Sequence, residues 1–207
     1  MKNISLSQEV KTIVRGMISN AAKFKLEELT TFLLFDSMMS QKQFSSLIAK
    51  YSSCNLEGII NLIENIYKNN PFGFNEKEVE TIEERDYFIS VLKDSDIDNP
   101  QNFIFSQWIA NVFFFAYIIA ESDEEQELTL SHLTLALFNN LNGQLLSFFT
   151  DIGTNIEQLI SQVEYLSLLD SCGKDDSALV IPDSISGCVT ILNDNFKNQK
   201  SSAILLF

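Results

Sequence analysis

Two stretches of this chain occur twice in the same order, and this internal repeat constrains the fold more than any other feature. The stretch Leu26–Leu33 matches Leu130–Leu137 at an offset of 104 residues, and Asn55–Ile60 matches Asn155–Ile160 at an offset of 100. The difference of four predicts a loop that is four residues shorter in the second copy. A long apolar helix precedes each match. Two such four-helix units, packed face to face, predict a domain with an internal pseudo-twofold axis.

The spacing of apolar residues predicts helices along most of the chain, so the expected fold class is all-α. In the first helix, Val10, Ile13 and Val14 share one face, and Ser7 or Ser5 can cap the first turn. The only segments with the composition of strands are Ala178–Ile181 and Ala203–Phe207. The predicted helices are Gln8–Lys23, Leu26–Met38, Phe44–Tyr51, Leu56–Tyr67, Glu76–Leu92, Phe105–Ala120, Ser131–Asn139, Gln144–Thr150 and Ile156–Leu169.

Residues 1–169 are expected to form one double-repeat helical domain. Copy one covers residues 5–67 and copy two covers residues 105–168, and an acidic connection over 71–102 with an extra helix joins them. Residues 170–207 begin with polar and small side chains and are expected to be a linker or the start of a following module.

The acidic charge of the chain is concentrated in its middle. The net charge is −14, and residues 76–127 alone contribute −11. Such a surface excludes nucleic acid as a partner, because binding to phosphates needs clustered Lys and Arg. The acidic block is either an ordinary solvated helix face or a docking surface for a basic protein.

An uncharged run from Gln101 to Ala120 suggests either a membrane span or a buried central helix. The polar Gln107 and Asn111 within it favour the buried helix, and no membrane span is expected. Three consecutive phenylalanines, Phe113, Phe114 and Phe115, cover about 200° of a helix. Either all three are core, or one lines a groove that receives a partner.

The residues needed for catalysis or for a cofactor are missing from the sequence. There is no phosphate-binding glycine-rich loop, and the only histidine, His132, has no second histidine with which to bind a metal. The three cysteines are widely spaced, as expected of reduced thiols, and the amino terminus lacks the apolar core of a signal peptide. The chain is therefore expected to be a cytoplasmic protein, with no enzymatic activity, no metal and no cofactor.

Two segments of the second copy resemble a known repeat. Ser131–Phe138 resembles the Glu-His-Leu-Leu-Leu-Ala-Leu-Leu segment of the Clp amino-terminal repeat, and Gly153–Leu159 resembles its turn and closing helix. Copy one is a degenerate match in which Glu27-Glu28-Leu29 replaces the Glu-His-Leu core. The resemblance covers about two thirds of the chain. The resemblance implies that the chain is the non-catalytic domain that captures protein substrates or adaptors for a Clp-type AAA+ unfoldase or disaggregase.

The resemblance also implies candidate protein-binding residues, which are Glu27, Glu28, Ser131, His132, Phe113 and Phe114. Some family members receive modified arginine side chains on a glutamate from each copy. Only Glu27 matches such a position here, and its expected counterpart is Ser131, which argues against a double acidic pocket.

Three functional hypotheses follow from the sequence. The first is a chaperone recognition domain with an AAA+ ring in the same longer chain; its client is unspecified, and type VI secretion sheath is one option. The second is a stand-alone adaptor or scaffold with the same fold. The third is a helical enzyme whose site is not recognisable. A nucleotide-binding motif beyond residue 207 would favour the first over the second.

Overall fold

The computed structural model describes residues 4–69, 82–141 and 143–172, so the predictions for 76–81 and 173–207 lie outside the described residues. The chain divides into two compact units, Met1–Ser171 and Cys172–Phe207. The all-α fold class is confirmed. The elements of copy one are β1 (Ser5–Leu6), α1 (Gln8–Phe24), β2 (Glu28–Leu29), α2 (Thr31–Met38), α3 (Lys42–Tyr51) and α4 (Leu56–Asn69).

Copy two repeats this order, after a connecting helix that packs on its first long helix. The connecting helix α5 (Ile82–Asp94) and a short 3₁₀ turn (Pro100–Asn102) precede the second copy. The elements of copy two are β3 (Ile104–Phe105), α6 (Gln107–Ser122), β4 (Glu127–Leu128), α7 (Leu130–Asn139), α8 (Gly143–Asp151) and α9 (Ile156–Cys172).

The same local chemistry begins and ends the long helix of each copy. The hydroxyl of Ser7 accepts a hydrogen bond from the Val10 amide, as the hydroxyl of Ser106 does from Ile109, both at 3.3 Å. After the helices, Lys25 and Glu124 adopt left-handed conformations, with φ of 55° and 57°. These equivalences set the offset between the copies at 99 residues over their first halves.

The second halves are related by an offset of 100. Asn55 Oδ1 accepts from the Gly58 amide at 2.8 Å, and Asn155 Oδ1 accepts from the Gln158 amide at 3.1 Å. Copy two therefore has one more residue than copy one between the end of its long helix and the turn before its closing helix. The predicted offset of 104, and the loop shortened by four residues, are wrong because Leu26–Leu33 was matched out of register.

The helix predicted over Leu26–Met38 is wrong at its start. The left-handed Lys25 ends α1, and Glu28 and Leu29 then extend to pair in parallel with Ile104 and Phe105. The helix resumes only after Thr30, whose hydroxyl accepts from the Leu33 amide at 3.4 Å.

The two copies exchange their short strands. Strand β1 of copy one pairs with β4 of copy two, and β2 of copy one pairs with β3 of copy two, both in parallel. A second contact joins the turn before α4 to the turn before α9, where the Ser52 and Thr154 hydroxyls lie 2.7 Å apart. Each copy therefore completes the other, and both pairs obey the pseudo-twofold relation.

Aromatic rings from both copies fill the centre. Phe35 of α2 is fully buried, with ring centroids 5.4 Å from both Phe148 and Phe149 of α8 and 5.8 Å from Phe44 of α3. Offset and edge-to-face contacts at these distances add to the stabilisation from burial. The joint between the two copies is thus an aromatic core.

Helix α6 packs against α5 on one side and α7 on the other, as expected of a central helix. Phe113 is fully buried against Phe88, and Phe114 is half-buried beside Tyr87. Of the two alternatives for the three phenylalanines, the one in which all three are core is wrong, because Phe115 is 46% exposed. Within the described ranges, no helix is both long and apolar enough to cross a membrane.

Candidate functional site

Cleft one lies between the closing helix of copy one and the third helix of copy two. It has a volume of about 490 Å³ and is open to solvent, within the size range of ligand sites. Apolar side chains lie beside amide and carboxylate groups along its walls. Its lining includes Leu62, Asn65, Ile66 and Asn69 of α4, and Gly143, Gln144, Ser147, Phe148 and Asp151 of α8.

Cleft two is smaller and occupies the related place on the other side of the pseudo-twofold axis. Its volume is about 90 Å³, and Gln43 and Leu47 of α3 line it at the positions equivalent to Gly143 and Ser147 of cleft one. Its lining is completed by Phe44, Leu130, Ser131, Thr134 and Val163. The smaller residues on the α8 side of cleft one are consistent with its larger volume.

The counterpart of Ser131 in copy one is Phe32, not Glu27. The offset of 99 pairs Ser131 with Phe32, and Phe32 is fully buried, 5.4 Å from the ring of Phe148 in cleft one. The same offset pairs Glu27 with Gln126. The expected pairing of Glu27 with Ser131 is therefore wrong, and neither copy has a carboxylate at this position.

An unpaired acceptor lines cleft one. The side-chain oxygen Oε1 of Gln144 is buried and has no hydrogen-bond partner among the residues that the structure describes. A buried acceptor without a partner costs about 1–3 kcal/mol. The cleft therefore combines apolar side chains with polar ones, and the Gln144 oxygen beside it is closed to solvent.

His132 is part of a helix cap and does not line either cleft. Its Nδ1 accepts a hydrogen bond from the Thr129 amide at 3.1 Å, and its Nε2 lies 3.6 Å from Oδ2 of Asp123. This geometry places the proton of the neutral ring on Nε2. The imidazole thus joins the start of α7 to the end of α6.

The remaining predicted site residues are spread over separate elements. Glu27 is exposed in the turn before β2, while Glu28 is half-buried within that strand. Phe113 lies in the core and Phe114 packs beside Tyr87, so α6 directs both away from the clefts. Of the six predicted residues, only Ser131 lines a cleft.

A partly buried carboxyl lies between α1 and α4 of copy one. Burial raises the pKa of Asp36, and the Tyr67 hydroxyl, Lys23 and the Asn20 amide act in the opposite direction. The Asn20 amide donates to Oδ2 of Asp36 at 2.8 Å. In the folded protein Asp36 therefore keeps its proton to a higher pH than in the unfolded chain.

Replacing Asp36 with asparagine is expected to change how stability depends on pH. Because the folded-state pKa is raised, Asp36 makes the wild type less stable as pH rises from the ordinary aspartate range through that pKa. The free energy of unfolding of Asp36→Asn, relative to wild type, should therefore increase from pH 4 towards pH 7. Urea unfolding at several pH values measures this, with the exposed Asp98→Asn as the matched control. An equal slope in both variants would contradict it.

The two copies differ sharply in charge. From Asp94 to Gly173, both included, there are twelve carboxylates and no Lys or Arg, whereas residues 4–69 carry seven basic and six acidic side chains. The acidic surface expected for the middle of the chain therefore extends through the whole of copy two. Among the described residues there is no group of three or more His, Cys, Asp or Glu that could hold a metal ion.

The fold is similar to that of the amino-terminal domain of ClpD, a caseinolytic protease-associated chaperone from Arabidopsis thaliana. The TM-score is 0.56 at 13% identity, over 82% of this chain and 97% of that one. A chain from structural work on a malarial protein secretion system is similar with a TM-score of 0.52 at 12% identity, over 78% of this chain and 93% of that one. No family model and no curated protein matches the sequence.

Proposed function

We propose that this chain, which has the fold of a Clp amino-terminal domain, is a non-catalytic protein-recognition domain of a Clp-type AAA+ unfoldase or disaggregase. The observation that carries the proposal is the similarity to the ClpD domain, which extends over 97% of that domain. In this role the chain captures substrates or adaptors in the cytoplasm and delivers them to an ATPase ring. Type VI secretion sheath is one client class to be tested.

Cleft one supports the proposal because its chemistry suits a peptide segment. Leu62, Ile66 and Phe148 offer apolar contacts, and the polar side chains of Asn65 and Asn69 stand beside them to hydrogen-bond a bound main chain. The cleft is bordered by helices of both copies, so the double repeat is what creates it. Weak, sequence-tolerant binding of unfolded segments is expected from such an open groove.

A stand-alone adaptor or scaffold with the same fold is the second candidate. The apolar segment Ala203–Phe207 favours the adaptor only if this segment packs on a partner protein and does not lead into another module. Reading the coding sequence past residue 207 separates the two functions. A nucleotide-binding loop there supports the unfoldase domain, and its absence supports the adaptor.

Binding of an unfolded protein tests the recognition role directly. The chain is titrated into fluorescein-labelled casein, and anisotropy reports complex formation. The expected result is saturable binding of the labelled casein. Unlabelled unfolded protein should compete for the chain, and folded control proteins should not. Failure to bind casein, type VI sheath protein and a panel of adaptors alike would refute the proposal.

Filling cleft one is expected to weaken that binding. Ser147→Trp places an indole in the cleft and should raise the dissociation constant for casein about tenfold. The matched control is Leu146→Trp, one residue earlier on the same helix, because Leu146 is exposed and does not line the cleft. Equal affinities for the two variants, with equal urea midpoints, would place the binding surface elsewhere.

A further inference from the structure

The outer face of α6 is apolar, uncharged and open to solvent. Trp108, Phe115 and Ile118 are 39%, 46% and 42% exposed. Steps of seven and three residues place them along one side of the helix, opposite the buried face that contains Phe113. We call this side, together with the half-buried Asn111 and Ile119, the α6 face.

Copy one provides an internal comparison for this surface. At the offset of 99, α1 has Glu9 where α6 has Trp108, and Ser19 where α6 has Ile118. Both residues of α1 are exposed, as expected of a helix face in water. The fold therefore does not require large apolar residues at these positions. Several large apolar residues exposed along one side of a helix, where packing does not explain them, are typical of an interaction surface.

The charge of copy two indicates which kind of partner binds the α6 face. Glu121, Asp123 and Glu124 lie at the carboxyl end of the helix, and copy two has no Lys or Arg, whereas α5, which packs on α6, carries both signs of charge. A second copy of this chain would bring its own all-acidic half against the same surface. A partner with basic side chains beside an apolar stripe instead gains apolar burial and attraction to the negative charge of copy two.

We propose that the α6 face binds an amphipathic helix of another protein, with Lys or Arg residues bordering the apolar side of that helix. The face contributes no residue to either cleft. The proposal is therefore independent of substrate capture in the clefts, and each can fail without the other. The apolar residues supply the affinity, and the negative charge of copy two sets the preference for a basic partner.

Trp108 is the only tryptophan in the chain and lies within the proposed surface, so its fluorescence reports binding directly. The probes are two tryptophan-free helical peptides with the same leucine stripe, one bordered by Lys and one by Glu. We expect the Lys peptide to give a saturable blue shift and to bind about tenfold more tightly than the Glu peptide. Raising the salt from about 0.05 M to about 0.5 M should reduce that preference.

A pair of double variants locates the site. Phe115→Ser with Ile118→Ser should weaken binding of the Lys peptide about tenfold or more, because it removes the apolar contacts. Ile60→Ser with Leu146→Ser, which changes two similarly exposed residues on α4 and α8, should leave the affinity nearly unchanged. Circular dichroism and urea midpoints confirm that both variants are folded.

Three results would overturn the proposal. They are equal affinity for the two peptides, equal loss in the two double variants, and the absence of any shift in Trp108 emission. Sedimentation of the chain alone tests whether the α6 face binds a second copy of the chain instead. A dimer that Phe115→Ser with Ile118→Ser abolishes would assign the α6 face to a second copy and would likewise overturn the proposal.

Discussion

Replacing Phe35 with alanine is expected to lower the free energy of unfolding by about 3–5 kcal/mol. Phe35 is fully buried, and its ring contacts Phe44 of copy one and Phe148 and Phe149 of copy two. The substitution removes the burial of a whole ring and leaves a cavity that the surrounding helices fill only in part. Because the contacts join the two copies, we expect both to lose stability together. Urea unfolding followed by circular dichroism measures the change.

Phe115→Ala is the matched control, since it makes the same chemical change on the exposed side of α6. We expect a loss within about 0.5 kcal/mol, as is usual for surface substitutions. If the two variants unfolded at the same urea concentration, Phe35 would not be the central contact that the ring distances indicate. A soluble but unfolded Phe35→Ala protein would agree with the expectation, and the milder Phe35→Leu then gives a measurable midpoint.

Gly153→Ala is expected to destabilise the protein by about 2–4 kcal/mol. Gly153 has φ of 63°, a left-handed conformation that costs energy for alanine, and it lies in the turn between α8 and α9. A Cβ at this position would be 2.7 Å from Oγ and 2.9 Å from Cβ of Ser53, which belongs to copy one. The added methyl group therefore separates the two turns that join the copies. Thermal or urea unfolding measures the loss.

Two further variants separate the causes. Gly143→Ala should be nearly neutral, because a Cβ there meets no atom within 4 Å and Gly143 lies at the start of α8. Adding Ser53→Gly to Gly153→Ala should recover the part of the loss due to the close approach and leave the backbone part. No recovery in the double variant would show that the left-handed conformation alone accounts for the effect.

The repeat and the helical class could be predicted from sequence because both follow from features that recur many times. Apolar spacing defines α1 and α4, and a serine or asparagine stands at the start of each. Each predicted helix in the described ranges is present, with ends that differ by a few residues apart from the start of Leu26–Met38.

The register between the copies could not be predicted in the same way. Its markers are the left-handed Lys25 and Glu124, which are poor predictors because neither residue type favours that conformation. The true match, Glu28-Leu29-Thr30 with Glu127-Leu128-Thr129, is short, and its strands have only two residues each. Leucine-rich helices align almost as well five residues out of register, and this error led to the assignment of Glu27.

The candidate site was predicted only in part. Ser131 was found through the resemblance, but cleft one is formed by α4 and α8, which lie far apart in the sequence. The three phenylalanines were noticed as a group, yet the exposed member, Phe115, can be distinguished only once α5 and α7 are placed beside α6. Comparison of α6 with its counterpart α1 could have revealed the α6 face, had the register been known.

The exchanged strands have a consequence for the order in which the chain acquires its structure during synthesis. Leu6 pairs with Leu128, so the start of copy one has no partner until more than half of the chain has been made. At a translation rate of about 5–20 residues per second, that interval is about 6–25 s. Over this period the first long helix can form, but the strand before it must wait on the ribosome for copy two. Slow codons after residue 128 would give this pairing time to form, whereas a pause before that point would prolong exposure of the unpaired edge to other nascent chains.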